Sequence, residues 1–129
     1  MLPMGKPVSL DGIQMCVVET AEGGEVNSET IFRFVQNGAV VSAQYAGGKV
    51  KLGYLVGTMT EEGLHFRYAQ VDTEGRLDGG YSTCEISRLP DGRIRLLEHF
   101  QWASREGMGT NVFEEIAVQP ASAAIEKPA

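Results

Sequence analysis

The chain has 129 residues, 43% of them apolar, which is enough for one domain with a buried core and too few for two such domains. Seventeen acidic against eleven basic residues leave a net charge of −6. Because this charge repels phosphate backbones and anionic lipid headgroups, we expect neither nucleic acid nor a membrane surface as a partner. Sixteen glycines, about 12% against the usual ~7%, are spread along the chain and predict many turns.

Residues 1–11 show no periodic pattern, and neither do residues 119–129 at the other end of the chain. We therefore predict a flexible N-terminal segment and a disordered C-terminal tail on either side of one domain at 12–118. The first residues lack the apolar run of a signal peptide, and no stretch has the ~20 apolar residues of a membrane span. These features predict a cytoplasmic protein in which Cys16 and Cys84 are free thiols.

Glycine-containing turns divide the domain into eight segments. An Asn, Asp or Glu precedes the glycine in most of the seven turns, which suits hairpins that need a positive φ; the turns lie at 21–24, 36–38, 46–48, 60–63, 72–75, 89–92 and 104–109. The segments between them are rich in β-branched and aromatic residues and predict strands at 13–20, 29–35, 39–45, 49–59, 64–71, 80–88, 93–103 and 110–118. Apolar residues alternate with period two rather than with helical spacing, so the fold class is all-β.

The connections between the predicted strands are short. Tight hairpins between consecutive strands favour a single eight-stranded antiparallel up-and-down β-barrel, in which the first and last strands pair and leave no exposed sheet edge. A two-sheet sandwich is the alternative, but its Greek-key crossings need longer connections than these.

Strand alternation predicts which side chains fill the barrel. In the segment 93–103, Arg93 and Arg95 are expected to face water, so Glu98 and Trp102 face inward, together with Ile94, Leu96 and Phe100. The same argument gives four further inward sets: Thr30, Phe32 and Phe34; Ala39, Val41, Ala43 and Tyr45; Val50, Leu52, Tyr54 and Val56; and Leu64, Phe66, Tyr68 and Gln70.

An interior of small and aromatic side chains with a few polar groups is typical of a small-ligand site. The predicted ligand-binding residues are Tyr45, Tyr54, Tyr68, Gln70, Glu98 and Trp102. Two alternatives remain open: the tyrosines could simply hydrogen-bond loops or water at the barrel mouth, and a β-bulge could turn Glu98 toward solvent.

No motif for catalysis or metal binding accompanies these residues. The two cysteines lack Cys-x-x-Cys spacing, and His65 and His99 fall on the outward face of their strands. The chain has no Gly-x-Ser-x-Gly elbow and no phosphate-binding loop. We therefore expect no metal and no cofactor, and we assign no catalytic residue.

Several segments together resemble a known family: NSETIFRF (27–34), QYAGGKVKLGYLVG (44–57), FRYAQV (66–71), GRIRLLEHFQW (92–102) and GTNVFEEI (109–116). In this order they resemble small bacterial proteins that often carry the label "n-acetylglutamate synthase", over roughly residues 12–118. The resemblance implies a lipocalin- or streptavidin-like barrel and, from the label, acetyl transfer from acetyl-CoA to glutamate.

Three functions are compatible with the sequence. The first is a barrel that binds a small molecule in its lumen. The second is an enzyme in which a buried Glu98 handles a proton, which includes the acetyl transfer of the family label; REGMGT (105–110), however, has Met108 where an acetyl-CoA loop needs glycine. The third is a structural or partner-binding barrel with a packed interior. Self-association as a homo-oligomer is left open.

Overall fold

The structure, a computed structural model, describes residues 8–117. It contains eight strands: β1 (Gln14–Glu19), β2 (Ile31–Asn37), β3 (Val40–Gly47), β4 (Val50–Thr60), β5 (Gly63–Asp72), β6 (Leu77–Arg88), β7 (Ile94–Trp102) and β8 (Met108–Glu115). Leu10 lies in the segment that we predicted to be flexible and is fully buried. Residues 1–7 and 119–129 of the two predicted flexible ends lie outside the described residues.

The eight strands form one closed barrel in chain order. Each strand pairs antiparallel with the next, and β1 pairs with β8, so closure leaves no free edge among the strands. The predicted all-β, eight-stranded up-and-down barrel is therefore confirmed, and the sandwich alternative is excluded. Residues 8–117 contain no helix that could cross a membrane.

The connections divide the barrel into two ends. The end with the β2–β3, β4–β5 and β6–β7 turns is called the closed end here, and the end with the β1–β2, β3–β4, β5–β6 and β7–β8 connections is called the mouth. The closed end is sealed by apolar side chains that are at most 2% exposed: Leu10, Phe34, Val41, Leu64, Ile94 and Leu96. Leu10 is fixed there because its backbone N–H donates to Gln36 Oε1 at 2.9 Å.

Strand β4 departs from the predicted alternation. Its pairing with β5 shifts between Val50 and Leu52, as a β-bulge does, and both Lys51 and Leu52 face outward. The inward set beyond the bulge is therefore Gly53 and Leu55. The prediction that Leu52, Tyr54 and Val56 point inward was wrong, because one extra residue reverses the face of every residue after it.

One further inward prediction was wrong for a different reason. Ala39 lies in the turn between β2 and β3 and is exposed, because the strand starts only at Val40. From Val41 onward the predicted alternation of β3 holds, with Ala43 and Tyr45 buried.

Candidate functional site

A narrow cavity occupies the lumen on the side of the mouth. The cavity between its lining side chains has a volume of only about 30 Å³. Seven of the fourteen lining residues are aromatic: Phe32, Tyr45, Phe66, Tyr68, Phe100, Trp102 and Phe113. The polar lining residues are Glu25, Gln70, Glu98 and Asn111. The cavity admits one or two waters as it stands, so a larger ligand requires side chains to move.

Glu98 is the buried carboxylate of this cavity. It lies on β7 between Cys84 of β6 and Asn111 of β8, and no bulge interrupts the pairing there. Its Oε2 accepts a hydrogen bond from Ser82 Oγ at 2.6 Å, and its Oε1 accepts one from Asn111 Nδ2 at 2.9 Å. Burial raises the pKa of the Glu98 carboxyl, although both hydrogen bonds oppose that rise.

In the described part of the chain, the hydrogen-bond partners of the Glu98 carboxyl are both neutral. None of the lining residues is Lys, Arg or His. The amide of Asn111 is itself oriented, because its Oδ1 accepts the backbone N–H of Ala21 at 2.8 Å. The β1–β2 connection thereby fixes one of the two donors that hold the carboxylate.

Tyr45 and Gln70 form the second polar group of the lumen. The Tyr45 hydroxyl donates to Gln70 Oε1 at 2.9 Å, and its ring stacks on Phe32 with centroids 4.3 Å apart. Gly53 leaves room for this ring, since a Cβ there would lie 2.4 Å from it. Burial, followed by the charge of Glu98, raises the pKa of the Tyr45 phenol, so the hydroxyl stays protonated and able to donate.

Tyr68 and Trp102 form the wall nearest the mouth. Their rings meet edge to face with centroids 5.7 Å apart, and Trp102 meets Phe100 in the same way at 5.8 Å. The Tyr68 hydroxyl donates to the Gln101 carbonyl at 3.5 Å, longer than the usual hydrogen bond. Tyr68 is thus less firmly held than Tyr45.

An ion cluster covers the mouth. The Arg105 guanidinium lies 4.2 Å above the Trp102 ring, and its Nη2 is 3.2 Å from Glu25 Oε2. Its Nε is 3.7 Å from Asp78 Oδ2. Glu25 also accepts from Gln70 Nε2 at 3.4 Å, so the cluster is connected to the polar groups of the lumen.

Five of the six predicted site residues line the cavity: Tyr45, Tyr68, Gln70, Glu98 and Trp102. Tyr54 does not, because the bulge in β4 places it on the outer surface, where it is 55% exposed. Sequence reasoning missed Ser82 and Asn111. Alternation could have placed Ser82 on the same face as Cys84, but Asn111 lies in a run of three buried residues that hides its parity. Glu25 and Arg105 lie in loops, where no periodicity applies.

Comparison with known proteins assigns this barrel to a family. A family model described as an avidin-like protein matches residues 8–116, which include all eight strands. The chain belongs to the avidin-like family. Members of this family typically bind small molecules such as biotin, and they oligomerise. No curated protein and no solved structure matches the chain.

The family match bears on the earlier resemblance. It supports the streptavidin-like barrel that the resemblance implied. Nothing in these comparisons supports the N-acetylglutamate synthase label. The residues of the lumen, rather than that label, are therefore the guide to the function of this avidin-like barrel.

Proposed function

We propose that this avidin-like barrel binds a small organic molecule in its lumen. The observation that carries the proposal is the Glu98 carboxylate, which is buried among aromatic side chains and held only by the neutral donors Ser82 and Asn111. A buried carboxylate without a countercharge costs several kcal/mol, so a barrel selected only for stability would favour an apolar residue here.

The polar side chains of the lumen indicate which hydrogen-bonding groups such a molecule would carry. Glu98 is an acceptor, and the Gln70 amide and the Tyr45 hydroxyl offer further donors and acceptors on the facing strands. A ligand with N–H groups would satisfy Glu98, while its apolar part would pack against Phe32 and Trp102. The cyclic urea of biotin carries such N–H groups, which makes biotin the first probe.

Binding requires the lumen to widen. The weakest contacts around the cavity are those of Tyr68 with the Gln101 carbonyl at 3.5 Å and of Glu25 with Gln70 at 3.4 Å. Both side chains lie toward the mouth, so their displacement opens the cavity without disturbing the closed end. We infer that a ligand enters by displacing Glu25 and Tyr68.

Calorimetric titration with biotin tests the proposal. We expect saturable binding to one site per chain, weakened at least about tenfold by Glu98→Gln because the carboxylate acceptor is lost. Glu85→Gln is the matched control, since Glu85 lies on the neighbouring strand with its side chain 68% exposed on the outer surface. Absence of biotin binding, together with no retained small molecule in native mass spectrometry, would instead identify a packed structural barrel.

The acetyl-transfer hypothesis predicts a different ligand, acetyl-CoA. Strands, turns and loops account for residues 8–117, and no helix N-terminus there could hold the phosphates of acetyl-CoA. We expect no saturable calorimetric signal with acetyl-CoA. A micromolar signal that Glu98→Gln abolishes would restore the enzyme hypothesis.

We also propose that the protein is cytoplasmic and self-associates. The location is supported by the thiols of Cys16 and Cys84, which are both free. Self-association is supported by the oligomers of the family and by apolar side chains on the outer surface, including Val56 at 60% exposure and Tyr54 at 55%. Light scattering after size-exclusion chromatography should give a molar mass greater than that of one chain, and Val56→Glu should lower this mass. A monomer at micromolar concentration would contradict this.

A further inference from the structure

We propose that the lumen selects an organic cation, such as an amidinium, guanidinium or ammonium group, with Glu98 as its countercharge and the surrounding aromatic rings as its walls. This inference rests on the lumen binding proposed above and adds the charge of the ligand. Three independent features of the barrel carry it.

The first feature is that the Glu98 carboxyl has no countercharge beside it among the described residues. Ser82 and Asn111 each donate one hydrogen bond to the carboxylate, but neither brings a positive charge. Within residues 8–117, no Lys or Arg lines the cavity to supply one. Because charges attract more strongly where water is excluded, a cation that reaches Glu98 gains more there than at the surface. A neutral ligand gains only the hydrogen bond.

The second feature is the aromatic wall around the carboxylate. Phe32 stacks on Tyr45 and meets Phe113 edge to face at 4.7 Å, while Tyr68, Trp102 and Phe100 form a second group. Aromatic faces carry partial negative charge and attract cations, and aromatic cages recognise ammonium ligands in this way. An anion in the same cavity would meet the Glu98 carboxylate, which repels it.

The third feature is the cation that the chain itself places at the mouth. The Arg105 guanidinium combines an aromatic face, that of Trp102 at 4.2 Å, with the carboxylates of Glu25 and Asp78. Asp78 Oδ2 is buried and accepts no hydrogen bond from the described residues. Two carboxylates against one guanidinium leave the mouth negative, in line with the net charge of −6, so the field draws cations toward the opening.

The narrow cavity limits the size of the cation. Because the cavity measures only about 30 Å³ before its side chains move, the lumen suits a compact group rather than a long polyamine. Benzamidinium and benzamide form a matched pair of probes, because they share a planar shape and N–H donors and differ in charge. Methylguanidinium and methylurea form a smaller pair with the same contrast.

The experiment measures both pairs by calorimetry on the wild type, Glu98→Gln and the outer-surface control Glu85→Gln. We expect each cation to bind the wild type and Glu85→Gln at least about tenfold more tightly than its neutral partner. This preference should disappear in Glu98→Gln. Glu25→Gln adds a measurement at the mouth: it should weaken the binding of each cation severalfold more than that of its neutral partner, because it removes a mouth charge.

The outcomes separate this inference from the proposed function. Equal affinity for cation and neutral partner, or a preference that survives Glu98→Gln, overturns the cation inference and leaves lumen binding in place. Binding of biotin without binding of either cation also overturns it. If neither biotin nor any of the four probes binds the folded wild type, the proposed function fails, and the inference fails with it. Should Glu98→Gln not fold, Glu98→Leu and the Glu25→Gln measurement decide the question.

Discussion

The closed end and the mouth are built from the same eight strands, yet their inward positions carry different chemistry. At the closed end, Leu64 is fully buried and Leu96 is 1% exposed, and both belong to the hydrophobic core. Toward the mouth, the same alternation buries Gln70, Asp78 and Glu98. The apolar side chains that stabilise this barrel are therefore concentrated at the closed end, and the polar side chains that could bind a ligand lie toward the mouth.

The two ends also differ in what holds them. Each fully buried aliphatic side chain of the closed end contributes roughly 1.5–3 kcal/mol relative to exposure. The mouth depends on directed contacts, of which the one from Arg105 to Glu25 spans 3.2 Å and the one from Gln70 to Glu25 spans 3.4 Å. Substitutions at the closed end should therefore change stability, and substitutions at the mouth should change binding.

Leu96→Ala tests the closed end and should have the largest effect on stability. Removing a side chain that is 1% exposed leaves a cavity in a packed core, and we expect the free energy of unfolding to fall by about 2–5 kcal/mol in urea titrations. Leu52→Ala, the same change at a 39% exposed position of the β4 bulge, is the control. Similar losses in the two variants would contradict the contrast between packed core and surface.

Gly53→Ala tests the space that the lumen leaves for Tyr45. A Cβ at this position would lie 2.4 Å from the Tyr45 ring, so the ring must shift. We expect a loss of about 1–3 kcal/mol in the free energy of unfolding and weaker biotin binding. The loss should be partly relieved when Tyr45→Leu is added, since the smaller side chain removes the clash. Strictly additive losses would show that Gly53 is needed for the backbone conformation rather than for the space that the Tyr45 ring occupies.

Glu98→Gln tests the cost of the buried carboxylate. A glutamine can accept from Asn111 and donate to Ser82, so it keeps both hydrogen bonds without the charge. We expect the variant to fold and to be unchanged or up to ~1–3 kcal/mol more stable at neutral pH. A loss of more than ~3 kcal/mol in the free energy of unfolding would mean that the carboxylate stabilises the barrel. The contrast between a stabilising closed end and a ligand-binding mouth would then be wrong.

The difference in stability between the wild type and Glu98→Gln should change with pH in one direction. Because the pKa of Glu98 is raised in the folded state, folding is favoured while the carboxyl is protonated. Wild-type stability therefore falls as pH rises from the unfolded pKa through the higher folded pKa, whereas glutamine does not titrate. The advantage of Glu98→Gln should grow as pH rises above about 4, the ordinary pKa of an unfolded glutamate, as measured by urea midpoints. An advantage that shrinks with pH would contradict the raised pKa.

Tyr54→Ala should have the smallest effect. Tyr54 is 55% exposed on the outer surface, so we expect the free energy of unfolding to change by less than about 0.5 kcal/mol and lumen binding to stay the same. Loss of biotin binding in this variant would place Tyr54 at the site after all. A change in oligomer mass alone would instead assign Tyr54 to the surface through which the chains associate.

The sequence by itself determined the number of strands, the turns and the closure of the barrel. Glycine turns mark every hairpin, and uninterrupted alternation in β5 and β7 placed Gln70, Glu98 and Trp102 correctly on the inner face. These predictions succeed because turn chemistry and strand parity are local properties, readable from a few neighbouring residues. Closure follows because an open meander of eight strands would expose two edges.

The tertiary structure alone decided the rest. The bulge in β4 turned Tyr54 outward, because the extra residue is defined by the pairing with β5 rather than by β4 itself. The contact between Glu25 and Arg105 joins residues 80 positions apart, and that between Asn111 and Glu98 joins neighbouring strands whose register sets the distance. Which polar groups meet in the lumen depends on the register of the closed barrel, and no local pattern in the sequence encodes it.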